Sequence, residues 1–229
     1  IFIMKTKLLF SFFVGAFILA ATSLSAQTTA EAVKQQKGMT KYTREQLNQK
    51  ATKDARKAAK QYKKEGWTVT PGALPVEKQL DKAYLTQYEK DDSGYPQYIT
   101  GEAMSIGENY DAAKLQASEL AKLNLAGQIQ TEVTALIEST VANKQLSAGE
   151  AASITETVAA NKNLISQSIG RTIPLIEMYR TLPNKNKEVM VRIAYNSRMA
   201  REAAKNAIRG ELEKKGEDLH LKLDKILGL

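Results

Sequence analysis

The chain has no cysteine among its 229 residues, a single histidine and a single tryptophan. Without cysteine there is no disulfide, no thiolate nucleophile and no thiolate-held metal or iron–sulfur cluster. With His220 as the only histidine, a multi-histidine metal site is excluded too. Proline is scarce at five residues and aromatic residues make up 7%, so the fold must rest on aliphatic and alanine packing. No glycine-rich phosphate loop is present: in Gly101-Glu-Ala-Met-Ser-Ile-Gly107 the glycines have the wrong spacing. The sequence offers no catalytic, cofactor-binding or metal-binding residue, and the chain reads as non-enzymatic.

Long apolar runs are also missing beyond one at the start. Lys5 and Lys7 precede an apolar stretch from Leu8 to Ala21, and Ser23, Ser25 and Ala26 close it. That order is a secretory signal peptide, read as residues 1–26 with Gln27 as the first mature residue. The run is shorter than the roughly 20 residues a membrane-crossing helix needs. The reading is an exported protein, periplasmic or secreted, from a bacterium with an outer membrane. After cleavage it has no transmembrane span.

The formal net charge of +8 is unevenly spread. Residues 27–66 hold 11 basic and 4 acidic residues, net +7, while 67–229 hold 20 and 21, net −1. The basic arm concentrates Lys50, Lys53, Arg56, Lys57, Lys60, Lys63 and Lys64. Thr43 and Gln46 have the spacing of a capping box, predicting a helix from there to Glu65 that stops at Gly66. Its apolar stripe (Leu47, Ala51, Ala55, Ala58, Ala59, Tyr62) is narrow and weakly hydrophobic, so the helix is expected to dock lightly or stand in solvent. A basic helix adsorbs to anionic lipid at about 1 kcal/mol per charge. Phosphate neutralisation would equally suit nucleic acid, which export argues against. The plainer reading of this arm is a solvated helix that aids solubility, and the sharper one is peripheral contact with an anionic membrane or polysaccharide.

Residues 67–94 read as a connecting helical segment. Pro71-Gly72 is a turn, and Pro75 opens a helix with Val76, Leu80, Ala83, Tyr84 and Tyr88 on one face. Asp91-Asp92-Ser93-Gly94 ends it as a solvated turn rather than a catalytic carboxylate pair. Tyr84, Tyr88, Tyr95, Tyr98 and Tyr110 cluster in this part of the sequence. They read mainly as core or sheet-cover residues, with a carbohydrate or peptide groove as the sharper alternative.

Residues 95–229 read as an α+β domain. Tyr95 to Ser105 is a strand, with Gly101 a bulge or a point of close approach. A long helix starts near Glu108, because Ala113, Ala117, Ala121, Leu125, Ile129, Val133, Ile137 and Val141 recur every fourth residue, with Leu120 and Leu136 widening the stripe. Ser147 and Glu150 form a capping box that starts a further helix ending near Gly170. Strands Thr172–Leu182 and Glu188–Asn196 flank the hairpin loop Pro183-Asn-Lys-Asn186. A last helix runs from Ser197 to about Leu227, weakened at Gly210 and Gly216. His220 is expected to be an exposed residue of that helix. The predicted architecture is a small antiparallel sheet, ordered strand–long helix–inserted helix–hairpin–helix, with helices on one face and the helical arm added.

The block Tyr98-Ile-Thr-Gly-Glu-Ala, followed by Ala112-Ala-Lys-Leu-Gln-Ala-Ser-Glu-Leu-Ala-Lys-Leu-Asn-Leu-Ala-Gly, resembles the "Lpp-twenty" bacterial envelope lipoprotein family. It is also similar to the N-terminal domain of the flagellar outer-ring T protein. The resemblance covers roughly residues 95–196 and implies a strand with a Gly-x-Ala motif, a long helix and a hairpin. It implies envelope association and protein–protein contact, and it carries no catalytic residues. The lipid-bearing cysteine of the lipoproteins is missing, since Gln27 stands at that position.

The functional expectation is therefore a non-enzymatic envelope protein acting through protein–protein contacts, as a homo-oligomer or with another envelope protein. A sheet covered on one face leaves the other for pairing. The interface strand would present Val189, Val191, Ile193 and Tyr195, or else Met190, Arg192 and Ala194. The alternatives are a binding module that uses the basic arm on anionic lipid or polysaccharide, and an enzyme of unfamiliar type.

Overall fold

A ladder of alanines decides how closely the longest helix lies on the sheet. In the computed structural model, which describes residues 49–143, 146–216 and 218–228, this helix is α3, Tyr110–Ala142. It is preceded by helix α1 (Lys53–Lys64), helix α2 (Val76–Tyr88) and strand β1 (Tyr98–Gly107). Helices α4 (Ala148–Ala160) and α5 (Lys162–Ser168) follow it. Strands β2 (Ile173–Thr181) and β3 (Lys187–Asn196) then form a hairpin, and helices α6 (Ser197–Lys215) and α7 (Leu219–Leu227) close the chain. The expected α+β class is what the protein adopts. The export signal and the Thr43–Gln46 box lie outside the described residues.

The sheet is antiparallel with order β1-β3-β2. Ala113, Ala117 and Ala121 of α3 are buried on it. Gly101 of β1 faces them so closely that a Cβ there would stand 2.3 Å from the Ala121 carbonyl oxygen and 2.7 Å from Leu125 Cβ. Gly101 is thus a close-approach point, and the small residues on both elements have one cause. Further along α3 the stripe grows to Leu125, Ile129, Val133 and Ile137, which fill the main core with residues of α4, α5, α6 and α7. Leu120 departs from the expected stripe and is 39% exposed.

Local signals set most boundaries. Asn109 caps α3 by accepting from the Ala112 N–H at 2.9 Å. Ser147 and Glu150 form both halves of a capping box on α4. The helix expected to run on to Gly170 breaks at Asn161 into α4 and α5, and the last helix breaks at Gly216 into α6 and α7. Gly216 adopts an extended φ of 173° there, ending the helical hydrogen-bond ladder.

The second face of the sheet is covered, unlike the expectation of helices on one face. Ala51, Ala55 and Ala59 join Trp67, Val76, Leu80 and Ala83 over Leu175, Ile176, Met178, Met190 and Ala194 of the sheet. The alanine stripe of α1 therefore docks fully: Ala55 is 0% and Ala59 2% exposed. Thr52 caps this helix, accepting from the Ala55 N–H at 3.4 Å. The compact unit begins at Ala51, so packing shows no boundary at the expected arm end, Gly66.

Candidate contact site for anionic surfaces

Lys53, Arg56, Lys57, Lys60 and Lys64 fall at positions i, i+3, i+4, i+7 and i+11 of α1, which puts them on one side of the helix. Ala55, Ala59 and Tyr62 fall on the opposite side, and that side, with Ala51 just before the helix, is the one docked on the second core. The position of every cation follows from the docking of the alanines. All five are exposed, and among the described residues none meets a carboxylate. Asp54 in the first turn and Lys63 and Lys64 in the last complement the helix dipole. Asp54, Lys57, Lys60, Gln61 and Lys64 border a shallow concavity of about 530 Å³ along this flank.

The remaining members of the predicted set behave differently. Lys63 pairs with Glu77 at 3.2 Å. Glu77 is held below the ordinary carboxylate value first by a backbone hydrogen bond at the start of α2 and then by the Lys63 ammonium. Lys50 precedes both α1 and the compact unit, so it is not part of the helical face.

Behind the basic face the support is aromatic. Tyr62 meets the Trp67 ring edge-on, with centroids 6.4 Å apart, and burial raises the Tyr62 pKa above its ordinary value. Arg180 of β2 stacks over Trp67 at 4.8 Å and bonds Glu188 at 2.6 Å. Sequence reading missed this bracket, since no local pattern links Trp67 to a residue 113 positions on.

The predicted interface strand is not free. Val189, Val191, Ile193 and Tyr195 are buried in the main core, while Met190 and Ala194 are buried in the second. Arg192 is partly buried and paired with Glu102. The reason is topological: β3 is the central strand and both of its faces are covered.

Other candidate groups are dispersed. Asp91 Oδ1 accepts from the N–H groups of Ser93 and Tyr95, each at 2.9 Å, which makes it a turn-forming residue. His220 is partly buried rather than exposed, and its Nδ1 is enclosed with no hydrogen-bond partner among the described residues. Tyr84 and Tyr88 share a shallow concavity with Leu85. Tyr110 stands apart, donating to Glu177 of β2, where burial and that carboxylate raise its pKa. No group of His, Asp and Glu suited to a metal ion occurs among the described residues, and no helix among them is long and apolar enough to cross a membrane.

Comparison with family models, with curated proteins and with solved structures found no match to the chain.

Proposed function

We propose that this is a non-enzymatic exported protein of the cell envelope that works by contact, with the outer face of α1 laid against a surface dense in phosphate or carboxylate groups. The observation that carries the reading is the arrangement, on one side of a helix whose apolar side is already engaged, of five cations that meet no carboxylate among the described residues. An amphipathic helix that inserts into lipid must bury its own apolar face in the membrane. Here that face is in the protein, so contact is electrostatic and peripheral. At about 1 kcal/mol per charge near an anionic surface, five charges supply on the order of 5 kcal/mol. That corresponds to a sub-millimolar affinity at low salt, which screening weakens. The likeness to envelope lipoproteins supports the same location.

The test is sedimentation of the protein with vesicles of anionic lipid, vesicles of zwitterionic lipid, and an acidic polysaccharide, each at low and high salt. Binding to the anionic vesicles or the acidic polysaccharide that disappears at high salt, and in the variant Lys57→Gln, Lys60→Gln, Lys64→Gln, supports the reading and identifies the surface. Equal binding by wild type and variant overturns it.

A further inference from the structure

The two edges of the sheet differ in how they are finished. Along β1 the Ser197 N–H donates to the Gln97 carbonyl at 2.9 Å, and the register Tyr98↔Asn196 continues without a bulge to Gly107↔Lys187. The odd-numbered residues of β1 therefore exchange hydrogen bonds with β3, and the N–H and C=O groups of Thr100, Glu102, Met104 and Ile106 point away from the sheet.

The outer edge of β2 is guarded. Pro174 lacks an N–H, a bulge lies between Pro174 and Ile176, the Glu177 N–H donates to Gln79 Oε1 at 2.7 Å, and Thr68 pairs with Tyr179 in both directions at 2.8 Å. Proline, bulges and covering segments are the devices that keep an edge from pairing with another chain. On β1 the described residues supply only the Asn124 side chain, which donates to the Glu102 carbonyl at 2.8 Å. Met104 and Ile106 are each 51% exposed beside this edge.

The edge has a second layer. Gln116 bonds Ser105 and Asn124 bonds Glu102, so this flank of α3 lies along β1. Leu120, between those two residues, lies on the same flank and shares with Leu123 a concavity of about 380 Å³ toward α5. A lone peptide strand would cover Met104 and Ile106 and leave the helical layer bare. A second sheet edge backed by its own helix matches both layers, and this chain has such an edge.

We propose that two copies of the protein join β1 to β1, antiparallel about a two-fold axis at Met104, into one continuous six-stranded sheet. Registers shifted by two residues to either side of this one also bring outward groups face to face. One shifted by two residues opposes Glu102 to Glu108 of the other copy, and the opposite shift sets Met104 against Glu102. The symmetric register places Met104 against Met104 and Ile106 against Glu102, so apolar meets apolar at the centre and no like charges oppose. Three outward residues per copy then pair, and the interface is isologous.

Sedimentation equilibrium on the purified protein tests the association. A dimer is expected, with Met104→Lys, which sets ammonium against ammonium across the axis, and Ile106→Glu, which sets a carboxylate against Glu102 of the other copy, each raising its dissociation constant by about tenfold or more while the melting temperature stays close to that of the wild type. Because the chain has no cysteine, Met104→Cys reports the register directly: its two-fold mate lies within disulfide reach of about 5.5 Å between Cα atoms. Mild oxidation should link Met104→Cys into a dimer much faster than Leu85→Cys, an exposed position on α2. A wild-type monomer at every concentration overturns the proposal and leaves the edge to a strand from another protein. Equal crosslinking rates at the two positions overturn the register.

Discussion

The guanidinium of Arg180 lies 4.8 Å from the centre of the Trp67 ring, joining the hairpin to the segment just after α1. Trp67 is 4% exposed, and Arg180 also bonds Glu188 and reaches the Glu65 carbonyl at 3.5 Å. One side chain therefore spans β2, β3 and the end of α1. Trp67→Ala should destabilise by about 3–5 kcal/mol, and Arg180→Ala by about 1–2 kcal/mol through the lost stacking and the stranded Glu188 carboxylate. Urea unfolding measures both. A Trp67→Ala loss below about 1 kcal/mol would show that this corner is not packed as described.

Two glycines facing α3 or lying within it should respond with opposite sign. A Cβ at Gly101 meets backbone, the Ala121 carbonyl at 2.3 Å and the Leu125 nitrogen at 2.8 Å, so β1 must lift from the helix. At Gly127, inside α3, the nearest atoms are the Lys162 ammonium at 3.2 Å and its Cε at 3.4 Å, the far end of a flexible side chain. Gly101→Ala is expected to lower stability by about 1–3 kcal/mol. Gly127→Ala is expected to raise it by up to about 1 kcal/mol through helix propensity. Thermal and urea unfolding of the two variants side by side decides the matter.

Glu150 gives the fold an acid-sensitive fastening. Its carboxylate bonds Lys222 of α7 and the Ser147 backbone and hydroxyl, and these bonds, Lys222 first, hold its pKa down at about 2. A carboxylate depressed in the folded state adds stability above its unfolded value of about 4.5 and loses it as pH falls toward 2. Glu150→Gln should therefore flatten the stability curve between about pH 5 and pH 2. It should also lower stability at neutral pH. Glu132 has the opposite sign, because burial raises its pKa against the pull of Arg201. Denaturation midpoints of wild type and Glu150→Gln across that range provide the check.

The α+β class, the α3 ladder, the α4 capping box, the hairpin and the close approach at Gly101 were all legible in the sequence. Each leaves a local mark: a four-residue period, a paired Ser and Glu, a turn composition, or a glycine inside a strand. The burial of α1 was not legible, because alanines have too little apolar surface to separate a docked stripe from a solvated one. Nor was the double burial of β3. Its alternation placed Val189, Val191, Ile193 and Tyr195 on one face and Met190, Arg192 and Ala194 on the other, with one set expected to face outward, while the apolar members of both sets are buried. Arg192, named with the second set, is spent on Glu102. Of the candidate site, the cations were visible in the sequence. Their segregation to one unpaired side became visible only once the docked face was known.

Cations and alanines of α1 should separate cleanly in experiment. Removing the chain through Gly66 takes away Ala51, Ala55 and Ala59 and bares Leu80, Ala83, Met178 and Met190 of the second core. That truncation should unfold at a markedly lower urea concentration and bind a hydrophobic dye, even though it deletes a segment whose composition suggests a detachable tail. Lys57→Gln, Lys60→Gln and Lys64→Gln change only exposed groups that meet no carboxylate among the described residues, so together they should shift stability by less than about 1 kcal/mol while abolishing salt-dependent adsorption. Ala59→Glu gives the converse: it forces a carboxylate against the sheet, destabilises by several kcal/mol, and leaves every surface cation in place. If the truncated chain were as stable as the intact one, α1 would be an appendage, and the one-sided exposure of its cations would lose its structural cause.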